Sequence, residues 1–212
     1  MKAYYCITDF KALNSAKLFD TYGSFFEESR LERIKSTKNE LRKAELIATG
    51  ALLYRGLERF GAEGIEILHE KNGKPYLKDR TDLFFNLSNS GDKLLMAVAE
   101  GKIGADLQKA VPFKEALFER ITSEEEREAL TAYRGRDFNR LWALKEAYVK
   151  LTGDGIGKAF SDISFQRSEG CFKIYDNNIL SAFGLEIYKD ENYAAVLTMG
   201  ENFTAEEFFI KL

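Results

Sequence analysis

The sequence predicts an α+β protein of two similar lobes, each a small, mainly antiparallel sheet packed with a long helix. Two observations carry this. Helical periodicity is strong in two places, behind Thr37 and from about Asp137. Short apolar or alternating segments, punctuated by Gly, Asn and Ser, accompany each helix in the same order in both halves. With 212 residues the chain is one large domain or two closely joined small ones. The boundary is placed between lobes 1–102 and 103–212, with a single mixed domain as the competing arrangement.

Taken in order, Ala3 to Thr8 is Tyr-, Cys- and Ile-rich and forms a strand. Thr37-Lys38-Asn39-Glu40 has the form of a capping box, in which the hydroxyl and the Glu three residues on satisfy free helix N–H groups. Behind it Leu41, Ala44, Ile47, Ala48, Ala51 and Leu52 recur at helical spacing, and Gly61 stops the helix after Phe60. Gly64 to Leu68 alternates as a strand and leads to a turn at Asn72-Gly73. Leu83-Phe84-Phe85 is followed by a polar turn from Asn86 to Asp92, then by the apolar strand Leu94 to Ala99 and the strand Ile103 to Leu107. Ser123-Glu124-Glu125-Glu126 is a second capping box, opening a helix through Leu130. A further helix runs from about Asp137 to Thr152 and ends at Gly153. Five strands close the chain: Ile163 to Gln166, Cys171 to Tyr175, Leu185 to Tyr188, Tyr193 to Thr198, and Phe208 to Leu212.

Composition excludes several classes. Lys and Arg number 31 against 34 Asp and Glu, a net charge of −3, which lacks the basic footprint of a nucleic-acid binder. An apolar share of 45% is globular, not disordered. Cys6 and Cys171 stand alone, so neither a disulfide framework nor a zinc site is signalled. The longest apolar run, Leu94 to Ala99, is too short to cross a membrane, and the N-terminus lacks the apolar core of a signal peptide, so the expected address is the cytoplasm. No phosphate loop of the GxxxxGK type and no GxGxxG fingerprint occurs. His69, the one histidine, cannot be assembled into a nucleophile–base pair.

Three constellations could carry chemistry. In the helix around Trp142, the residues Glu146 and Lys145 lie on the flank of the apolar stripe, where a charge is costly unless it meets another. Glu146 and Lys150 also make an ordinary i,i+4 pair, worth about 0.2–0.5 kcal/mol on any helix. Asp106 sits among Ile103, Ala105 and Leu107 in a strand, where Asp is unfavourable unless it guards an edge or caps a turn. A strand Asp and a helix Glu brought together suit Mg²⁺, which takes one or two carboxylates and fills its octahedron with water and phosphate oxygens. Lys74 with the Ser- and Gly-rich stretch Asn86 to Gly91 could receive a phosphate, or could be a long hairpin connection.

Asn86 to Asp92, then Ile103 to Gln108, then Trp142 to Lys150 with Gly153-Asp154-Gly155 behind them, resemble the 4′-phosphopantetheinyl transferase superfamily in its long single-chain branch. Gly73-Lys74-Pro75-Tyr76 extends the match upstream. The resemblance implies two lobes related by a pseudo-two-fold axis, a monomer with coenzyme A in the cleft between them. It also implies transfer of 4′-phosphopantetheine from coenzyme A to a serine of an apo acyl or peptidyl carrier protein, with Mg²⁺, releasing 3′,5′-ADP. By motif position Asp106 and Glu146 would hold Mg²⁺, and Glu146 would assist deprotonation. Lys145 and Lys150 would meet the phosphates, with Lys150 nearest the developing charge. Ser88 and Lys74 would contact the phosphate and ribose end, with Arg42 and Lys43 as further candidates for the 3′-phosphate. Two positions depart from the branch. Gln108 replaces an acid, leaving a neutral or water-mediated contact to the ion, and Asn89 replaces a His, keeping a hydrogen-bond donor but no cation. A coenzyme A-binding, non-catalytic relative is the alternative reading.

Overall fold

The computed structural model describes residues 1–62, 66–70, 73–129, 134–168, 171–201 and 203–210. Its first half runs β1 (Lys2–Asp9), α1 (Ser15–Tyr22), α2 (Glu28–Ser36), α3 (Glu40–Glu58), β2 (Ile67–His69), β3 (Pro75–Leu77), β4 (Phe84–Ser90) and β5 (Lys93–Ala99). The second runs β6 (Ile103–Lys109), α4 (Glu115–Ile121), α5 (Glu124–Ala129), α6 (Arg134–Thr152), β7 (Ile163–Ser168), β8 (Cys171–Asp176), β9 (Ile179–Lys189), β10 (Asn192–Thr198) and β11 (Thr204–Glu207). Two main sheets result, in the orders β11-β1-β5-β4 and β6-β10-β9-β8-β7. Beside them β2 and β3 form a small hairpin, of which the expected residues 64, 65 and 72 lie outside the described ones. The α+β reading holds.

Strand alternation sorts the core into layers. On β5, Leu94, Met96 and Val98 join the cluster around α3, while Leu95, Ala97 and Ala99 face the second sheet. There they meet Ile103, Ala105 and Leu107 of β6 with Ala194 and Val196 of β10. Ala195 and Leu197 point the other way, to Leu144, Ala147 and Leu151 of α6. The order is therefore α3, first sheet, second sheet, α6. The alanines on the inner faces let the two sheets come close without voids.

The joint between the sheets corrects one expectation. Asn86 to Ser90 is strand, not turn, and only Gly91 and Asp92 turn the chain, since Ser90 pairs with Lys93. The polar residues that read as a turn carry the joint instead. Asn86, Ser88 and Ser90 stand on one face of β4, and their side-chain oxygens accept the backbone N–H groups of Ala105 (3.1 Å), Leu107 (3.2 Å) and Lys109 (2.9 Å). Side chains thus satisfy the N–H row that β6 presents to β4, which would otherwise be an unpaired sheet edge.

Three further boundaries differ from expectation. Helix α3 is capped by Asn39, whose Oδ1 accepts the N–H of Arg42, while Thr37 closes α2 with its hydroxyl on the carbonyl of Arg33. The preceding helix runs to Ser36, so the Thr37 hydroxyl is already used and the capping-box reading shifts by two residues. At the other end the strand expected from Phe208 lies earlier, at Thr204–Glu207, and pairs in parallel with β1. Residues 204–207 thus belong to the first sheet although they follow the second in sequence, and Phe208 is buried in the first core. The second capping box forms as expected: Ser123 N–H meets the Glu126 carboxylate at 3.1 Å and Glu126 N–H meets the Ser123 hydroxyl at 3.2 Å. Helix α6 ends before Gly153 at φ +84°, as its sequence predicts, and begins at Arg134.

Helix α6 lies directly on β6. A Cβ on Gly104 would stand 2.1 Å from the carbonyl oxygen of Ala147 and 2.6 Å from the nitrogen of Leu151. Both obstacles are backbone and cannot rotate away. Gly104→Ala is expected to cost at least about 2–3 kcal/mol and lower Tm by about 5–10 °C in a calorimetric scan. Gly56→Ala, whose nearest obstacle is the movable Met96 methyl, is the control and should cost distinctly less.

Candidate functional site

Two residues along β6 from Gly104, on the face toward α6, stands Asp106. Its side chain is 8% exposed and ion-paired with Lys150 of α6 at 2.6 Å. The same carboxylate oxygen accepts the Ser88 hydroxyl at 2.8 Å, and Lys150 also reaches the Ser88 oxygen at 3.1 Å. With Leu107 N–H donating to it as well, that hydroxyl has its one donor and both acceptor positions in use. The Lys74 ammonium, at the β2–β3 hairpin, donates to the Lys150 carbonyl at 2.8 Å. It thereby satisfies one of the free carbonyls in the last turn of α6. A chain of polar contacts therefore crosses from the hairpin to α6, and from α6 through Asp106 to β4.

The charges here are out of balance. Burial holds Asp106 above the ordinary aspartate range, with the Lys150 ammonium and the Ser88 hydroxyl opposing but not cancelling it. Burial also raises Glu146, and the neighbouring Asp106 charge raises it further, against Lys150. Burial lowers Lys74. Two carboxylates thus share a site with one close lysine, and both bind protons more tightly than they would in the unfolded chain.

Glu146, Lys150 and Lys74 open onto a cleft of about 870 Å³. Asn86 and Leu87 of β4 line one wall, Arg120 and Ile121 of α4 and Trp142 of α6 another, and the segment from Gly153 to Phe160 a third. The volume falls in the range of small-molecule sites.

Of the candidates named from sequence, Asp106, Glu146, Lys150, Ser88 and Lys74 come together. Lys145 does not. Its side chain is fully buried, and its ammonium gives its three protons to the Ile121 carbonyl (2.7 Å), the Glu126 carboxylate (2.6 Å) and the Phe160 carbonyl (2.9 Å). No donor is left for a phosphate, so Lys145 is a clamp that ties α6 to α4, α5 and the turn at Phe160. Asn89 follows Ser88 and so points to the opposite face of β4, where it donates to Glu45 at 3.0 Å. Arg42 meets the same Glu45 at 2.5 Å, and Lys43 pairs with Glu40 at 2.8 Å. None of these three lines the cleft. Gln108 shares the Asp106 face of β6, and its amide donates to the Lys109 carbonyl. Sequence reading missed Glu126 as the partner of Lys145, although the capping box had already marked it. It also missed Lys158, a cleft residue held at 2.6 Å by Asp176, which Tyr148 also binds at 3.0 Å. The glycines before it had read as a helix stop and as the end of the family motif, with no role for a lysine.

Residues 102–198, from the start of β6 to the end of β10, match the 4′-phosphopantetheinyl transferase superfamily. The match covers a little under half of the chain and marks a resemblance to that superfamily in its second half. Among similar proteins, 4′-phosphopantetheinyl transferase psf-1 of Bacillus pumilus is 36% identical over 104 residues, 47% of this chain and 45% of the relative. The transferase HetI of Nostoc is 41% identical over 100 residues, 42% of each chain. The transferase AcpT of Salmonella typhi is 32% identical over 131 residues, 58% of this chain and 65% of the relative. The chain thus spans about half the length of the first two relatives, and somewhat more of the third. The superfamily match contains Asp106, Glu146 and Lys150, whereas Ser88 and Lys74 lie upstream of it.

A divalent cation of the kind such transferases use fits Asp106 and Glu146. Both are hard oxygen donors, and the burial that raises the proton affinity of both, with the Asp106 charge raising Glu146 further, is what a nearby cation would offset. Among the described residues no group of three His, Cys, Asp or Glu side chains gathers. No helix among the described residues is long and apolar enough to cross a membrane.

Two outcomes follow for stability. Lys145→Met leaves the Glu126 carboxylate without its cation and takes a donor from the Ile121 and Phe160 carbonyls in a dry place, and urea unfolding should show a loss of about 3–5 kcal/mol. For Asp106 and Glu146 the native pKa is raised, so their contribution to stability is complete below the ordinary carboxylate range. It is lost as pH rises through the raised native values. Glu146→Gln removes part of that loss, and its Tm at pH 8 should exceed the wild-type value by about 1–3 °C.

Proposed function

We propose that the chain transfers 4′-phosphopantetheine from coenzyme A to a serine of an apo acyl or peptidyl carrier protein, as a cytoplasmic monomer of the long single-chain branch. The observation that carries this reading is the convergence of Asp106, Glu146, Lys150 and Ser88 at the edge of a cleft bordered by further cations.

In the reaction the serine oxygen bonds to the phosphorus that bears the pantetheine arm. The phosphorus–oxygen bond to the nucleotide breaks, 3′,5′-ADP takes the electron pair, and the hydroxyl proton passes to a base. Glu146 suits that base, since its proton affinity is already raised by burial and by Asp106. Lys150 brings an ammonium to the cleft where charge grows on the leaving oxygen. Lys74 and Ser88 would steady the phosphate end of the coenzyme, and the Lys145 clamp would keep α6 and α4 at fixed separation. Mg²⁺, held by Asp106 and Glu146 with a neutral or water-mediated contact from Gln108, would neutralise the diphosphate.

Incubation with coenzyme A, MgCl₂ and an apo carrier should add one phosphopantetheine to the carrier serine, read by intact-protein mass spectrometry. Asp106→Ala and Glu146→Ala should each lower the rate at least a hundredfold with the fold retained. Coenzyme A binding without transfer would favour the non-catalytic alternative instead. Gln108→Glu adds a third acid beside the ion, and titration of MgCl₂ against rate should give half-saturation at a several-fold lower concentration.

A further inference from the structure

A divalent cation that takes the Asp106 oxygen facing α6 meets an ammonium already in place. We propose that Lys150 is a resident counter-ion of the carboxylate pair, which competes with the divalent cation for Asp106 and is released into the cleft when the cation binds. The inference rests on the reading of Asp106 and Glu146 as the cation's ligands.

Three features of the geometry support it. Lys150 sits 2.6 Å from the Asp106 carboxylate, on the oxygen that also receives the Ser88 hydroxyl, so that oxygen is occupied twice before any metal arrives. The two ends of the ion pair are unequally enclosed. The Lys150 side chain is 29% exposed against 8% for Asp106, so the lysine has a way out toward the cleft and the carboxylate does not. The helix can stay still while the side chain moves, because the Lys150 carbonyl is held by Lys74 and α6 rests backbone-to-backbone on β6 at Gly104. Lys145 shows the opposite design, with all three donors bound in a fully buried place.

Charge arithmetic gives the direction of the exchange. Lys74 is engaged by the Lys150 carbonyl, so the two carboxylates have the Lys150 ammonium alone acting on them and are short of one positive charge. A dication satisfies both carboxylates and frees the ammonium, which can then meet an anionic group in the cleft. Metal and anionic ligand should therefore tighten each other's binding through the position of a single side chain, reciprocally.

The test uses ligand-free protein and Mn²⁺ as the probe, with free Mn²⁺ followed by electron paramagnetic resonance. Lys150→Met should bind Mn²⁺ about tenfold or more tightly than wild type, since the competing charged hydrogen bond is gone. Equal or weaker binding overturns the proposal. A second measurement leaves the fold untouched: acetylation of wild-type lysines, mapped by peptide mass spectrometry with and without MgCl₂. Labelling of Lys150 should rise several-fold with MgCl₂ while buried Lys145 stays unlabelled, and unchanged Lys150 labelling overturns the exchange. Failure of the transferase reading would show differently. Release of Lys150 in a protein that modifies no carrier contradicts the proposed activity alone, whereas transfer without release contradicts the exchange alone.

Discussion

The approach of helix α6 to strand β6 at Gly104 is closer than any side chain would allow, and the site depends on that distance. With backbone resting on backbone, the next inward residue of the strand, Asp106, comes within 2.6 Å of a lysine on the helix. A methyl group at position 104 would push the helix outward by more than the length of a hydrogen bond can absorb. The charged pair would then be separated, and a buried carboxylate without its cation is among the costlier defects a core can hold. The glycine and the aspartate are therefore one device, although one carries no side chain and the other carries the chemistry.

The second constraint is the joint between the sheets. Parting β4 from β6 would expose three backbone N–H groups of β6 and leave the Asn86, Ser88 and Ser90 oxygens without donors. Ser88 has two tasks there, since the hydroxyl that accepts from Leu107 also donates to Asp106. Position 88 thus links the mechanical connection between sheets to the electrostatics of the site. Shifting β4 by one residue would turn Asn89 toward β6 and break both at once. The last strand adds to the same joint from the far edge, where β11 returns to β1 and Lys189 of β9 pairs with Glu207 at 2.5 Å.

Much of this was legible in the sequence, for identifiable reasons. The long helices, Gly153 as a stop and the box at Ser123 follow from local rules of spacing and capping, and the structure keeps them. Asp106 was conspicuous because an acid among apolar strand residues needs a partner. The polar run from Asn86 was misread because polarity in a strand normally means solvent or a turn, and nothing local tells that alternate side chains will replace a backbone ladder. Thr37 was misplaced because the rule that finds a cap does not see the preceding helix using the same hydroxyl. Arg42 and Asn89 were named for a ligand, and each instead meets Glu45: Arg42 three residues before it on α3, and Asn89 across from β4, a helix–strand pairing that sequence separation hides.

The two lysines of α6 show most clearly what sequence cannot supply. Five residues apart, they are turned by about 140° around the helix, so one faces the packing of α4 and α5 and the other faces β6. Lys145 loses all contact with water, but two carbonyls and a carboxylate replace it fully, and the low dielectric around them strengthens each bond. Its charge is thereby fixed in place and unavailable to anything else. Lys150 keeps part of its surface in the cleft and holds a partner whose own burial leaves it short of positive charge. A charge in that position has a smaller barrier to moving and a reason to move, because a stronger cation can take its place. Burial without alternatives makes a lysine structural, and partial burial beside an undersupplied acid makes it available for binding.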